Sequence, residues 1–185
     1  MTPSGADAPE VGDVLQPAFF DRPADEVARD LIGKAIVRRT GRTTKSYIIH
    51  ETEAYLGPYD LACHSARGRT ARTEAMFGAP GTLYIYLVYG IHLMLNVVTG
   101  PDRCGAAVLI RGAGETTGPG LLGRGLALTP GLNGQPASPT TGLWFEHGAG
   151  SPQRVSVTAR IGVGYAGPRW SRRKLRFVLK AQGLP

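Results

Sequence analysis

Ser46-Tyr47-Ile48-Ile49-His50-Glu51-Thr52-Glu53-Ala54-Tyr55 is the stretch whose reading decides the fold. Its β-branched and aromatic residues predict a strand. Strand side chains alternate between faces, so Glu51, Glu53 and Tyr55 share one phase while His50, Thr52 and Ala54 share the other. Ala35–Arg39 precedes it across a polar turn around Gly41, giving a first strand pair. Leu83–Val88 and Leu93–Thr99 give a second, separated by Tyr89-Gly90-Ile91-His92. Gly105–Arg111, Val155–Val163 and Lys174–Lys180 add three strands. The last sets Leu175, Phe177 and Leu179 on one side, with Arg176 and Lys180 in the other phase. Pro23 ahead of Ala24–Ile32, closed by Gly33, predicts a short helix on which Val27 and Leu31 share a face. Thr70–Phe77 has room for one or two helical turns. The Gly/Pro-rich stretch 112–153 shows no sustained period and is predicted to be loop, and residues 1–17 an acidic leader, disordered or loosely packed. The class is α+β on a mostly antiparallel sheet.

A chain of 185 residues is a prior for one domain with a sizeable core. At 42% hydrophobic and 19% charged residues it is not of disordered composition. Cys63 and Cys104, the two cysteines, are too few for a disulfide framework or a four-cysteine zinc site. No apolar run approaches the roughly 18 residues of a membrane span, and the start lacks a basic signal-peptide region. The expected location is cytoplasmic. Charge is uneven: residues 1–60 carry 7 basic and 10 acidic side chains, and residues 61–185 carry 14 and 4. Seventeen of the 21 basic residues are arginine, whose planar fork pairs with phosphate and stacks on bases. A polyanionic partner fits that composition; a solvated basic face fits it too.

Three segments concentrate polar groups in apolar surroundings. Glu51 and Glu53 lie in a largely apolar strand, where a buried carboxylate is costly without a partner or a function, and one beside an aromatic floor can act as a general base toward water. Both fit an exposed sheet edge equally well. His50, Glu51, Glu53 and His64 form a conceivable metal set, without any recognised ligand spacing. In the second segment Tyr84 and Tyr86 share a strand face, and Tyr89 falls beside Gly90 at a turn, where it can wedge between base pairs or simply pack. Asn96 is a polar residue in an apolar run and needs partners if buried. In the third, Arg111 ends an apolar strand and calls for an acid or a phosphate, with Glu51 one candidate.

These residues together resemble the alkyladenine (3-methyladenine) DNA glycosylases. The resemblance runs through Asp30-Leu-Ile-Gly-Lys34, Glu51-Thr-Glu-Ala-Tyr-Leu-Gly57, Met76-Phe77, Pro80-Gly-Thr-Leu-Tyr-Ile-Tyr86, Tyr89-Gly90, Asn96 and Val108-Leu-Ile-Arg111, then Arg160–Gly164 and Leu175–Phe177. It implies a single mixed α/β domain over residues 18–185, with a curved, mostly antiparallel sheet and a protruding β-hairpin. It also implies a monofunctional enzyme of base excision repair, acting as a monomer on double-stranded DNA containing damaged purines, without metal or cofactor. By position, Glu53 is similar to the family's general base and Arg111 to the residue that helps hold the attacking water. Tyr55, His64 and Tyr86 resemble the pocket around the flipped base, Asn96 the residue that crowds the guanine 2-amino group, and Tyr89 the intercalating wedge. Arg67, Arg69, Arg72 and Arg172, with others of the Arg160–Lys180 cluster, are expected along the DNA backbone.

The sequence leaves the family pattern after Arg111. The Glu-Pro step, arginine-rich helix and Gly-Pro-x-Lys-Leu run are replaced by Arg111-Gly-Ala-Gly-Glu-Thr-Thr-Gly-Pro and, later, Thr129-Pro-Gly-Leu132. That change keeps open a lesion-binding protein that flips bases without turnover. A metal-dependent hydrolase using His50, Glu51 and His64 is the reading from a different class.

Overall fold

The computed structural model describes residues 12–148 and 154–180. Its helices are α1 (Pro17–Phe20), α2 (Ala24–Asp30), α3 (Pro119–Gly125) and α4 (Gly167–Ser171). Its strands are β1 (Ala35–Thr40), β2 (Thr43–Tyr55), β3 (Leu83–Val88), β4 (His92–Thr99), β5 (Ala106–Ala113), β6 (Thr116–Thr117), β7 (Leu143–Glu146), β8 (Val155–Ala159) and β9 (Lys174–Leu179). Among the described residues all strand pairings are antiparallel, in the order β3-β4-β5-β2-β1-β7, with β9 joining β2 to β8 and β6 beside β5. The α+β class and mostly antiparallel sheet read from the sequence are therefore present. No helix among the described residues is long and apolar enough to cross a membrane.

The long strand β2 organises the sheet. Its first half pairs with β1, and its second half lies between β5 and β9. One face of that second half is core: Thr52 and Ala54 point with Val108 and Ile110 of β5, and with Leu83, Ile85, Leu95 and Val97 of the β3–β4 pair, into the main apolar cluster. Helix α2 covers this face through Val27, Ala28 and the capping residue Leu31, and the Thr52 hydroxyl donates to the Ala28 carbonyl at 2.7 Å. Fully burying such side chains stabilises by about 1.5–3 kcal/mol each. The opposite face is where the polar residues of the sequence gather.

Three expectations are revised and a fourth is narrowed. Of the leader over residues 1–17, residues 1–11 lie outside the described set. Val14 bridges Glu146, and Leu15 is 3% exposed, so its end is part of the fold. The stretch 112–153, expected as loop, contains α3 and β7. β7 is a short apolar run, Leu143-Trp144-Phe145-Glu146, that completes the sheet against β1. The strand predicted over Val155–Val163 stops at Ala159, because Arg160 turns inward to a buried partner. Thr70–Phe77 forms only a 3₁₀ turn, over Glu74–Phe77.

Glycine content hid α3 from sequence reading, yet it is what lets the helix dock. A methyl at Gly123 would lie 2.0 Å from the Leu93 carbonyl oxygen of β4. Gly123→Ala is accordingly expected to cost about 1–3 kcal/mol by overpacking, and Tm falls by about 2–4 °C per kcal/mol in a chain of this size. Gly125→Ala, whose methyl would meet only Thr116 Oγ1 at 3.9 Å, should leave Tm unchanged. Thermal unfolding of the two variants checks the contact; equal Tm values would mean that α3 does not seat on β4.

Candidate active site

Strand register sets a row of side chains across the sheet: Tyr84 opposite Asn96, Asn96 opposite Leu109, Leu109 opposite Glu53, and Glu53 opposite Arg176. Alternation then adds Tyr86, Met94, Ala107, Arg111, Glu51 and Tyr55 to the same face. Most of this face lines a cavity of about 600 Å³, whose walls include Tyr55, His64, Tyr86, Asn96 and Arg111, with Tyr89 at its edge.

The carboxylates are buried, not at a free sheet edge. Glu53 is 0% exposed. Its Oε2 accepts from the Tyr55 hydroxyl at 2.9 Å, its Oε1 accepts from the Ile161 amide at 2.8 Å, and Arg111 Nη1 stands 3.5 Å from Oε1. Burial pushes the Glu53 carboxyl above the usual glutamate range, against the opposing pull of Arg111, the Ile161 amide, Tyr55 and Arg160. Glu51 is different. Burial would raise it too, but hydrogen bonds from Arg176 and Arg111 outweigh that and hold it below the ordinary range. Arg111 Nε and Arg176 Nε both reach Glu51 Oε1 at 2.7 Å. Arg111 thus meets the acid that the sequence offered as one candidate partner, and a second acid besides.

A register irregularity aims Arg111. Ile49 pairs with Ala113, Glu51 with Gly112 and Thr52 with Ile110, so His50 and Arg111 are each an extra residue of the ladder. Such bulges re-aim side chains. The His50 ring packs directly over Gly112, where a methyl would lie 2.3 Å from its Cε1 and force the ring to shift. His50 itself turns to the Thr116 carbonyl at 3.1 Å, away from Glu51 and His64. Among the described residues no group of three His, Cys, Asp or Glu side chains is placed to hold a metal.

The aromatic wall is assembled from a different part of the chain. His64 opens the 3₁₀ turn His64–Arg67; its Nδ1 is 2.9 Å from the Tyr84 hydroxyl and its ring packs edge-on to Tyr86 at 4.6 Å. Burial, followed by the charges of Arg72 and Arg67, lowers the His64 pKa, so the imidazole is neutral at pH 7. Tyr84 and Tyr86 are 5.3 Å apart, and burial pushes the Tyr84 phenol to about 12. The Asn96 amide donates to the Tyr84 carbonyl at 3.1 Å, which answers the need for a partner. Tyr89 sits at the tip of the β3–β4 hairpin, 92% exposed, with φ 51° followed by Gly90 at 71°. A tyrosine in the left-handed region costs roughly 1–3 kcal/mol, a strain of the kind that clusters at functional sites.

The arginines divide into two groups. Arg67, Arg72 and Arg172 are exposed, and Arg72 lines the cavity and lies 5.8 Å from the Tyr86 ring centre. Arg69 is exposed but already paired with Glu74, at 2.8 Å from Nε to Oε2. Arg160, expected with the DNA-facing cluster, is buried instead. It makes a bidentate pair with Asp60 at 2.5 and 2.9 Å, donates to the Ala54 carbonyl, and lies 4.7 Å from the centre of the Tyr55 ring. Arg160 is thereby the clamp that seats Tyr55 and delivers the next residue, Ile161, to Glu53.

Sequence reasoning missed Asp60, the Ile161 amide, Arg176 and Tyr165. Tyr165 is 66% exposed, lines the cavity and donates to the Ala62 carbonyl at 2.9 Å, tying the loop of residues 160–166 to the approach of His64. Arg176 had a legible signal, since its phase on β9 opposes Leu175 and Phe177. Asp60 had none, because its partner lies 100 residues away.

Known proteins give this constellation a context. A family model described as methylpurine-DNA glycosylase matches residues 18–117. Relatives named "Putative 3-methyladenine DNA glycosylase" align along most of the chain. The one from Methanocella arvoryzae is 42% identical over 175 residues, covering 83% of this chain and 86% of its own. The one from Myxococcus xanthus is 43% identical over 173 residues, covering 88% of each. The one from Legionella pneumophila strain Paris is 39% identical over 174 residues, covering 90% and 94%.

Removing one partner of a buried ion pair leaves an uncompensated charge. Asp60→Ala is therefore expected to destabilise the protein by about 3–5 kcal/mol. Urea unfolding measures it, and a loss below about 1 kcal/mol, the value of a surface pair, would contradict the burial of Arg160.

Proposed function

The chain belongs to the methylpurine-DNA glycosylase family, and from that premise we propose that it extrudes an alkylated or deaminated purine from duplex DNA and hydrolyses its N-glycosidic bond. The observation that carries this reading is a fully buried carboxylate, Glu53, held directly behind a tyrosine- and histidine-lined cavity by residues that themselves line it. An enzyme acting on a stacked base must take it out of the helix, at a cost of a few kcal/mol. The exposed Tyr89 is placed to fill the vacated stack, as apolar wedges do in other DNA binders. The extruded base enters between Tyr55, His64 and Tyr86. Alkylation at N3 or N7 makes a purine cationic, and electron-rich rings favour a cation. A neutral His64 adds no opposing charge. Asn96, fixed by its bond to Tyr84, crowds the edge where normal guanine carries its 2-amino group.

Glu53 then acts as general base. An ionised carboxylate has about four acceptor sites, so both oxygens keep capacity for a water beside the Tyr55 and Ile161 donors. The water oxygen bonds to the sugar C1′, its proton passes to Glu53, and the glycosidic electron pair leaves with the purine. Arg111 helps hold the water, and the carboxylate steadies positive charge on the sugar. Product is an abasic site, and no step calls on a metal or cofactor. The exposed Arg67, Arg72 and Arg172 track phosphates, with Arg69 joining them if it leaves Glu74.

Release of free 3-methyladenine from methylated duplex DNA tests the activity over a lesion panel with hypoxanthine, ethenoadenine and 7-methylguanine. Glu53→Gln should retain DNA binding and lower single-turnover release by about 10²–10⁴-fold. Binding of wild type without release would identify a lesion-binding protein instead. Because Glu53 must be ionised and its carboxyl is raised, the acid limb of the wild-type rate should lie above the ordinary glutamate range, with activity lost as pH falls through it. A limb at or below that range would remove Glu53 as the titrating base.

Phosphate contacts release counterions, so binding should weaken steeply with salt. Arg72→Ala should lower affinity for every DNA sequence and flatten the slope of log K against log salt by about one. An unchanged slope would take Arg72 off the backbone.

A further inference from the structure

Arg111 stands between two carboxylates and treats them unequally. Its Nε is 2.7 Å from Glu51 Oε1, while its Nη1 stays 3.5 Å from Glu53 Oε1. Both acids are buried, and nothing in burial alone favours Glu51; Glu53 is the more deeply buried of the two. The asymmetry has a structural cause. The paired irregularity in the β2–β5 ladder makes Arg111 the unpaired residue facing Glu51, and Arg176 fixes Glu51 from the other side at 2.7 Å. Arg176 is itself held, donating to Thr158 Oγ1 at 3.2 Å on β8. A carboxylate bound by two guanidiniums stays ionised and does not let go of either.

We propose that Glu51 is a positioning residue for the reaction: it anchors Arg111 in a bridging position and prevents it from closing a tight pair with Glu53, whose carboxylate is left free to take the proton from water. The proposal rests on Glu53 being the base. A guanidinium in full bidentate contact would occupy the carboxylate lone pairs that the water needs, and would weaken the base by stabilising its ionised form. One at 3.5 Å still offers positive charge near the reacting water without capping the carboxylate. A merely structural ion pair would need only one arginine on Glu51; the second, Arg176, is what keeps that anchor fixed.

The groups facing Glu53 set the expected pH behaviour. They are Glu51 and Tyr55 on its own strand, Arg111 from β5, Arg176 from β9, Tyr86 from β3, and Arg160, with Asp60 as its partner, from the loop side. Removing the anchor frees Arg111, already 3.5 Å from Glu53 Oε1, to close onto it, whereas Arg176 loses the same anchor but keeps its bond to Thr158 Oγ1. Single-turnover base release from methylated duplex DNA, followed against pH, is the test. Glu51→Gln should move the acid limb to lower pH and slow release at neutral pH by about 10-fold, as expected for a weakened general base. Glu51→Asp keeps the charge but ends one methylene short of Arg111, so it should move the limb the same way. A limb that moves in Glu51→Gln but not in Glu51→Asp would mean that only charge matters, and would overturn the positioning role. Lowered Tm with an unmoved limb in both variants would overturn it as well, leaving a structural pair. If Glu51→Gln fails to fold, Glu51→Asp alone decides between a moved and an unmoved limb. Glu53→Gln in the same series must abolish the limb. If it persists there, Glu53 is not the base and both readings fall. If it is lost there yet unmoved in the Glu51 variants, only the role of Glu51 falls.

Discussion

Two carboxylates two residues apart, on a strand paired along both edges, cannot stay ionised in the interior unless the surrounding chain supplies their partners. That constraint explains more of this structure than any other feature. Glu51 recruits Arg111 from β5 and Arg176 from β9. Glu53 receives a phenol from its own strand and an amide from the loop after β8. The loop can bring that amide only because Arg160, the residue before it, is locked into Asp60. A shared requirement for charge compensation therefore acts together with the apolar packing of Val163, Ala166 and Trp170 beside Tyr55 and Leu56 in bringing these elements to this face.

The sheet separates this polar work from stability. Its α2 side is continuous hydrocarbon, from Leu83 across Leu95 and Val108 to Ala54. Its other side alternates in register with that core, so the cavity residues at the centre of the sheet have neighbours in sequence that are firmly packed. Tyr84 has Leu83 and Ile85, Asn96 has Leu95 and Val97, and Leu109 has Val108 and Ile110. Period-two alternation ties the site to the main core, and a second, smaller apolar cluster of Cys63, Ala75, Met76, Tyr84, Val98 and Ala107 packs on the site's own side. The hairpin tip is the exception: Tyr89, at the edge of the cavity, is 92% exposed and strained at the backbone.

What could be read from the sequence follows the same division. The phase of Glu51, Glu53 and Tyr55, the shared face of Tyr84 and Tyr86, and the turn at Tyr89-Gly90 are local properties, and alternation exposes them. α3 was not legible, because its Gly120 and Gly123 look like loop residues until β4 is placed against them. The fate of Arg160 was not legible either. Nothing near it in sequence distinguishes an arginine that will clamp Asp60 from one that will face solvent, and composition favoured the second. The pairing between Arg111 and Glu51 was one of two open possibilities; register, and in particular the irregularity at Gly112, turned it into a bridge to both acids.

Long-range assembly also ties chemistry to completion of the fold. The family model ends at residue 117, and the residues up to that point already include Glu53, Tyr55, His64, Tyr86, Tyr89, Asn96 and Arg111. Yet the state of Glu53 depends on residues beyond it: Ile161 occupies one oxygen, Arg160 packs over Tyr55, and Arg176 fixes the acid that holds Arg111. A chain lacking β9 would still present an aromatic cavity, but Glu51 would have one guanidinium in place of two and Arg111 would have less reason to stay where it is. The cavity wall and the setting of Glu53 thus draw on different spans of the sequence, and only the docking of the β8–β9 pair on β2, through β9, brings them into register.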